Sequence, residues 1–443
     1  MSDPLSIVEA ARDAGDRVAL RVAGRAYTFT QLAALAQQRM RELAPAVRDG
    51  VPYPVVGHNT PETLATLYAL LELRVPMLMV HPRLKAPERD ALLATAAERG
   101  AAGYPDAAAI LFTSGTTGQP RAAVLSRRAF IASARASEAN LGWRDDDCWY
   151  MCMTVAHVGG LSILTRCLMA RRAVSLSERF DAQRSVAQIA DDRATLASMV
   201  PTMLASVLDA HPNWLPPAHL RGILIGGAAA PRALLARAAA RGLPVMPTYG
   251  LTEACSQVTT VAYAQGRPTI DAGSGPALPG AELRVVDGQI EVRGPMLMSG
   301  YWGEPPLPAD GWFATGDLGE IDAHGNLHVL ARRSDLIVTG GENVYPAEVE
   351  QALEALPGIA AAGVFGVPDE HWGQMVAAAL VTDRAVPEDT LFAHVDACLA
   401  PHKRPRRVCF VKKLPRTPGG KLDRRALAAL APVLRPLPSQ DAR

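Results

Sequence analysis

Up to about residue 272, apolar residues fall into short dense runs separated by segments with helical spacing. Residues 54–57, 76–80, 109–112 and 222–225 are apolar runs of strand length and read as strands of a buried sheet. Residues 7–14, 31–43, 62–73, 185–192, 203–210 and 232–241 repeat their apolar positions at three and four, the spacing of amphipathic helices. Thr30 stands where the second helix needs an N-cap. This βαβ rhythm predicts a mainly parallel sheet with helices on both faces, an α/β fold. Beyond Ala272 the pattern shortens to alternating strands at 283–286, 289–293 and 327–330, with a hairpin signal at Asp287-Gly288 and a turn at His324-Gly325-Asn326. From 347 onward the rhythm is mixed, with helices at 347–355 and 388–399 and strands at 360–365, 375–381 and 407–411. The expected organisation is a large N-terminal domain (1–331) of layered α/β subdomains with a small antiparallel β unit, then a small α+β C-terminal domain (332–443). The tail after Val433, with Pro436, Pro438 and Ser439, is expected to be loose.

Composition adds limits. With 443 residues, 49% hydrophobic and 20% charged, the chain can bury more than one core. Lys plus Arg is 45 against 44 Asp plus Glu, a net charge of +1, which argues against a dedicated nucleic-acid binder. The apolar stretch 64–80 contains Glu72 and Arg74, so no membrane span is expected. The opening Met1-Ser2-Asp3-Pro4 has no basic region ahead of an apolar run, so a cytoplasmic location is expected. Six cysteines, at 148, 152, 167, 255, 398 and 409, form no CxxC pair and read as reduced thiols.

The strongest chemical signal lies at 110–121, Ile-Leu-Phe-Thr-Ser-Gly-Thr-Thr-Gly-Gln-Pro-Arg. A buried strand runs into a loop of hydroxyls and glycines and ends in a cation. Glycines let the backbone approach a phosphate, and hydroxyls and N–H groups donate to its oxygens. The GxxxxGK[ST] pattern is absent. The loop resembles the phosphate loop of the adenylate-forming superfamily, which includes acyl- and aryl-CoA synthetases, peptide-synthetase adenylation domains and luciferases. Further segments are similar to that superfamily's motifs in the right order: Thr248-Tyr249-Gly250-Leu251-Thr252-Glu253, residues 311–318 around Asp317, residues 331–335, residues 340–350, and residues 414–421 ending in Lys421.

The resemblance implies that a carboxylate attacks the α-phosphate of ATP, giving an acyl-adenylate and pyrophosphate, and that a thiol then displaces AMP. It implies roles by position. Thr113, Ser114, Gly115, Thr116, Thr117, Gly118 and Arg121 would cradle the phosphates, with Arg121 where relatives usually have Lys. Glu253 would hold Mg²⁺ and Thr252 would reach the α-phosphate. Thr248, Tyr249, Gly250, Gly227 and Ala228 would surround adenine, with Tyr249 stacked on it. Asp317 and Arg332 would bind ribose. Lys421 would bridge the carboxylate and the α-phosphate. A mobile C-terminal domain would turn about Ser334, exchanging the Lys421 loop for Gly340, Gly341 and Glu342, which would line the thiol tunnel for coenzyme A.

By the same resemblance the acid pocket comprises His157, Gly159, Gly160, Val200, Gly226, Leu251 and Ser256. The glycines at 159, 160, 226 and 227 are expected to leave room for a flat ring, so an aromatic carboxylic acid is the expected substrate. No acid in these segments would bind an amino acid's ammonium group. Residues 157–164 and 332–346 look like the o-succinylbenzoate–CoA ligase branch of menaquinone synthesis. A benzoate- or anthranilate-type aryl-CoA ligase of secondary metabolism, an enzyme loading a carrier protein, and a nucleotide-binding protein without turnover remain open alternatives. A homodimer is a family-level expectation.

Overall fold

The structure is a computed structural model that describes residues 3–48, 50–98, 104–113, 121–263, 272–308, 310–369, 372–417 and 421–437. An eight-stranded sheet runs in the order Ser256–Thr260, Val245–Leu251, Gly222–Ile225, Leu196–Met199, Cys148–Met151, Ala173–Leu176, Val18–Val22, Arg25–Thr28. Its inner strands are parallel and its two edge strands antiparallel. Several inner strands are buried along their whole length, which is why they read as apolar runs rather than as alternation. A five-stranded sheet follows the order Gly300–Tyr301, Arg121–Ser126, Ala107–Thr113, Met77–Val80, Tyr53–Val56, with its last three strands parallel.

The main core lies among these sheets and their helices and includes Phe29, Leu67, Trp149 and Leu164. The Trp149 indole N–H donates to Ser198 Oγ at 3.0 Å, so this fully buried ring leaves no donor unmet. Glu282–Val286, Gln289–Arg293, Phe313–Ile321 and Leu327–Arg332 form a four-stranded antiparallel sheet. Its first hairpin turns at Asp287-Gly288, both at positive φ, as the sequence predicts. The last sheet has six strands between Ile337 and Pro436, built around the long pair Ile359–Asp369 and Gly373–Thr382.

Two local expectations are corrected. The second helix starts at Phe29, capped by Thr28 rather than Thr30. Gln31 N–H donates to Thr28 Oγ1, and the Gln31 side chain accepts from Thr28 N–H, a reciprocal pair that Thr30 with Ala33 could not form. The tail after Val433 is not loose up to Leu437. Arg435–Pro436 pairs with Arg407–Phe410, and Leu437 is buried in the C-terminal core.

Candidate active site

The expected site residues gather where parallel strands end. His157, Gly159 and Gly160 follow Cys148–Met151, Val200 follows Leu196–Met199, and Gly226, Gly227 and Ala228 follow Gly222–Ile225. Thr248, Tyr249, Gly250 and Leu251 close Val245–Leu251, and Thr252 and Glu253 form the next short 3₁₀ turn. In the neighbouring sheet Thr113 ends Ala107–Thr113, and its Oγ1 donates to Arg121 O at 3.3 Å. The crevice beyond the carboxyl ends of parallel strands is the usual ligand site of such sheets. The residues expected to cradle phosphates, Ser114, Gly115, Thr116, Thr117 and Gly118, lie outside the described residues.

The backbone at this edge is tight. A Cβ on Gly250 would lie 1.8 Å from Ser256 O, so no other residue fits there. Cys255 and Ser256 hold φ of 51° and 96°, a strain of about 1–3 kcal/mol each that the packed surroundings sustain. The expectation that small glycines open a ring-sized slot is corrected at two of them. A Cβ on Gly160 would lie 2.3 Å from Thr154 O, and one on Gly226 2.7 Å from Thr248 Cγ2. Both glycines serve close approach within the protein.

Asp317 and Arg332 are cross-strand partners in the antiparallel sheet, with Arg332 Nε 3.3 Å from Asp317 Oδ1. The Tyr249 hydroxyl donates to Asp317 Oδ2 at 2.8 Å. The ring expected to stack on adenine is thus buried and tied through its hydroxyl to the acid expected to bind ribose. Burial, then the Asp317 charge, pushes the Tyr249 phenol well above its ordinary pKa, so it remains a donor.

Lys421 reaches this cleft from the C-terminal unit. Its side chain is open to solvent at the mouth, yet the walls remove enough water to lower its pKa. Arg332 pushes in the same direction, while Asp317 and Glu253 oppose. Lys421 also acts on His157, whose edge is open to solvent. Loss of water around that ring lowers its pKa to about 4, and His81, Lys421 and Arg83 add to the effect. The rings of His81 and His157 are 5.0 Å apart. His81 Nδ1 accepts from Arg83 N–H at 3.1 Å, which leaves its ring proton on Nε2.

Glu253 Oε1 accepts from the Tyr301 hydroxyl at 2.9 Å. Among the described residues no group of three His, Cys, Asp or Glu side chains is placed to hold a metal ion. A lone carboxylate still suits Mg²⁺, which keeps waters and pairs one or two carboxylates with substrate phosphates.

Gly340 and Gly341 form the turn between Ile337–Thr339 and Glu342–Val344, at φ of 57° and 85°. Among the described residues no hydrogen bond or ion pair joins that hairpin to Lys421, Asp317 or Glu253. Ser334 Oγ donates to Asp335 Oδ1 at 3.2 Å, and Arg424 Nε lies 3.2 Å from Asp335 Oδ2. In the basic stretch 402–407, Lys403 pairs with Glu348 and Arg404 with Asp396, while Arg406 lies over Trp372.

Sequence reasoning did not single out His81, Tyr301, Glu304 or Arg166. Arg166 had a signal: a cation inside the apolar helix Val158–Ala170. It is buried, its Nε has no hydrogen-bond partner, and among the described residues it makes no ion pair. Burial lowers its pKa to about 10.

The AMP-binding enzyme family matches residues 98–302, and the AMP-binding enzyme C-terminal domain matches residues 348–421. A 2-succinylbenzoate–CoA ligase from Bacillus cereus is 40% identical over 339 residues, 73% of this chain and 70% of that protein. The chain belongs to the AMP-binding enzyme family. An o-succinylbenzoate CoA synthetase from Bacillus subtilis shares its fold within this family. In complex with the acyl-adenylate intermediate OSB-AMP that enzyme superposes with a TM-score of 0.86 at 31% identity, covering 96% of this chain and 98% of the other. With ATP and magnesium ion the TM-score is 0.85 at 30% identity, covering 96% and 99%. A double mutant bound to the product analogue OSB-NCoA gives 0.70 at 30% identity, covering 97% and 98%.

Proposed function

We propose that this chain is an AMP-forming acid–CoA ligase whose acid is 2-succinylbenzoate. The observation that carries the reading is the Asp317–Arg332 pair, 3.3 Å apart, with Lys421 within electrostatic reach of both and of Glu253. The named relatives support the acid.

ATP and coenzyme A are the co-substrates, and Mg²⁺ accompanies ATP. In the first half-reaction a carboxylate oxygen of the acid attacks the α-phosphorus of ATP. The bond to the bridging oxygen breaks and pyrophosphate leaves. Lys421 sits between the two anions, reducing their repulsion as they approach. Asp317 accepts from the ribose hydroxyls and Arg332 donates to the same sugar. Thr252 contacts the α-phosphate. Glu253 would hold Mg²⁺, which when bound would supply positive charge to offset that of the phosphates. In the second half-reaction the CoA sulfur attacks the acyl carbon and AMP departs.

In this reading the N-terminal domain ends at residue 331, and the remaining residues turn about Ser334 to bring Gly340, Gly341 and Glu342 to the thiol. The better fit to the acyl-adenylate complex than to the product-analogue complex supports taking the present arrangement as the adenylation state. The enzyme is expected in the cytoplasm, where ATP and CoA are available, and as a homodimer. A carrier-protein thiol in place of CoA is the competing acceptor.

The test is ATP–pyrophosphate exchange with 2-succinylbenzoate, benzoate, anthranilate, salicylate, short fatty acids and amino acids. Exchange with 2-succinylbenzoate alone is expected, reduced about 10²–10³-fold by Lys421→Ala, the size of loss seen when one positioned transition-state donor is removed. Exchange with another acid instead would overturn the assignment of the acid. Thioester formation with CoA and not with a phosphopantetheinylated carrier settles the acceptor.

A further inference from the structure

The cation at the end of the phosphate-loop segment is already engaged. Arg121 Nη2 lies 2.6 Å from Glu304 Oε2 and its Nε 3.3 Å from Oε1, a two-pronged pair. The guanidinium carbon lies 3.4 Å from the centre of the Tyr301 ring, and the Tyr301 hydroxyl donates to Glu253. One unbroken set of contacts therefore joins Glu304, Arg121, Tyr301 and Glu253.

Strand register explains how residues so far apart in sequence meet. Gly300–Tyr301 pairs antiparallel with Arg121–Ser126, setting Tyr301 opposite Ala123, and Trp302 N–H donates to Ala122 O at 2.8 Å. At the other end Met298 N–H donates to Glu253 O at 2.7 Å. Glu304 is held independently of its carboxylate. Its N–H donates to Tyr301 O at 2.8 Å, and the Tyr104 hydroxyl lies 2.7 Å from its carbonyl. The carboxylate is thus aimed at Arg121 by a turn that does not depend on the pair.

We propose that Glu304 is a stand-in for the phosphates of ATP: it holds Arg121 flat on Tyr301 in the free enzyme and gives up the guanidinium when the nucleotide binds. This rests on the function proposed above. Exchange is easy because both side chains are about two-fifths exposed, 42% and 43%, where an ion pair contributes little. A phosphate presents the same two-oxygen edge to the guanidinium fork with more charge. The device needs arginine. Lysine has neither the fork nor the flat face that lies on Tyr301, which gives the departure at this position a physical purpose. Glu304 and Tyr301 are positioning residues here, since neither is asked to touch a reacting atom.

The test is calorimetric binding of ATP with Mg²⁺, without acid, to the wild type, Glu304→Gln, Arg121→Lys and the double variant. Removing the competing carboxylate should tighten ATP about three- to fivefold while Arg121 is present, the size expected for a half-exposed pair. In the Arg121→Lys background the same change should shift affinity by less than about 1.5-fold, because the two residues act as a unit. Equal tightening in both backgrounds would show general repulsion of ATP by Glu304 and overturn the proposal. Unchanged or weaker binding by Glu304→Gln would overturn it too. If Glu304→Gln melts early, Glu304→Asp serves instead: it keeps the charge, withdraws the fork by one methylene, and should tighten ATP by a smaller factor. A wild type that binds no ATP would refute the proposed function itself.

Discussion

Two arginine–carboxylate forks in this molecule look alike and do different work. Arg221 and Asp147 meet through Nη2–Oδ2 at 2.6 Å and Nε–Oδ1 at 2.9 Å, with side chains 4% and 0% exposed. Other partners hold both side chains in place. Asp147 also accepts from Thr195 Oγ1 and Arg144 N–H, and Arg221 donates to the carbonyls of Leu141 and Gly142. Burial alone would raise the Asp147 pKa, but the bonds from Arg221, Thr195 and Arg144 outweigh it and hold the carboxyl below its usual range. Arg121 and Glu304 use the same geometry at the edge of the cleft, half in water. Identical chemistry becomes a fixture in one place and an exchangeable latch in the other, and exposure decides which.

The largest effect expected from this comparison is at the buried fork. Asp147→Ala strands a buried guanidinium and should reduce stability by about 3–5 kcal/mol, read by chemical denaturation. ATP affinity of the protein that stays folded should not change. A loss below about 1 kcal/mol would erase the distinction between the forks.

Next is the exposed fork. Arg121→Ala should cost less than about 1 kcal/mol of stability. It should weaken ATP about tenfold or more, as befits loss of a hydrogen bond to a charged group. If stability falls as far as in Asp147→Ala, the latch is a fixture after all.

How far these features were legible in the sequence follows from what holds each in place. The inner parallel strands were legible because burial on both faces makes them continuous apolar runs, as at Gly222–Ile225. Phe313–Ile321 was not read as a strand, because Thr315, Gly316 and Asp317 interrupt its apolar pattern. Asp317 among them is the one that meets Tyr249 and Arg332. Lys421, Glu253 and Asp317 were legible because each sits inside a distinctive local motif. Tyr301 and Glu304 were not, since nothing near them in sequence points to Arg121. Only the pairing of Gly300–Tyr301 with Arg121–Ser126 brings them together. Arg166 carried a readable signal, a lone cation in an apolar helix, but its contacts with Ser133 and Trp149 and its unpaired Nε are properties of packing. The glycines misled for the same reason: Gly160 is small because Thr154 backbone lies against it, which spacing alone cannot separate from room for a ligand.

The smallest predicted effect separates the two regions by pH. Asp147 has a lowered pKa, so its contribution is present above the unfolded value near 3.8 and fades only as pH falls through the lower folded value. His157 runs the other way. Its folded pKa, about 4, lies below the unfolded value of 6.5. Between those values the unfolded chain binds the extra proton, so this residue makes stability fall as the medium is acidified and leaves it untouched above pH 7. The thermal midpoint of the wild type should therefore drop relative to His157→Gln between pH 6.5 and 4, with no divergence above 7. The charged or titratable groups acting on this ring, His81, Lys421 and Arg83, are all basic. A bound carboxylate would bring an anion to this basic set, and should raise the ring's pKa and draw in a proton. Acid binding measured near pH 5.5 in buffers of different ionisation enthalpy should then show proton uptake in the wild type and less in His157→Gln. Equal uptake by the two proteins would mean that the carboxylate does not settle against this ring.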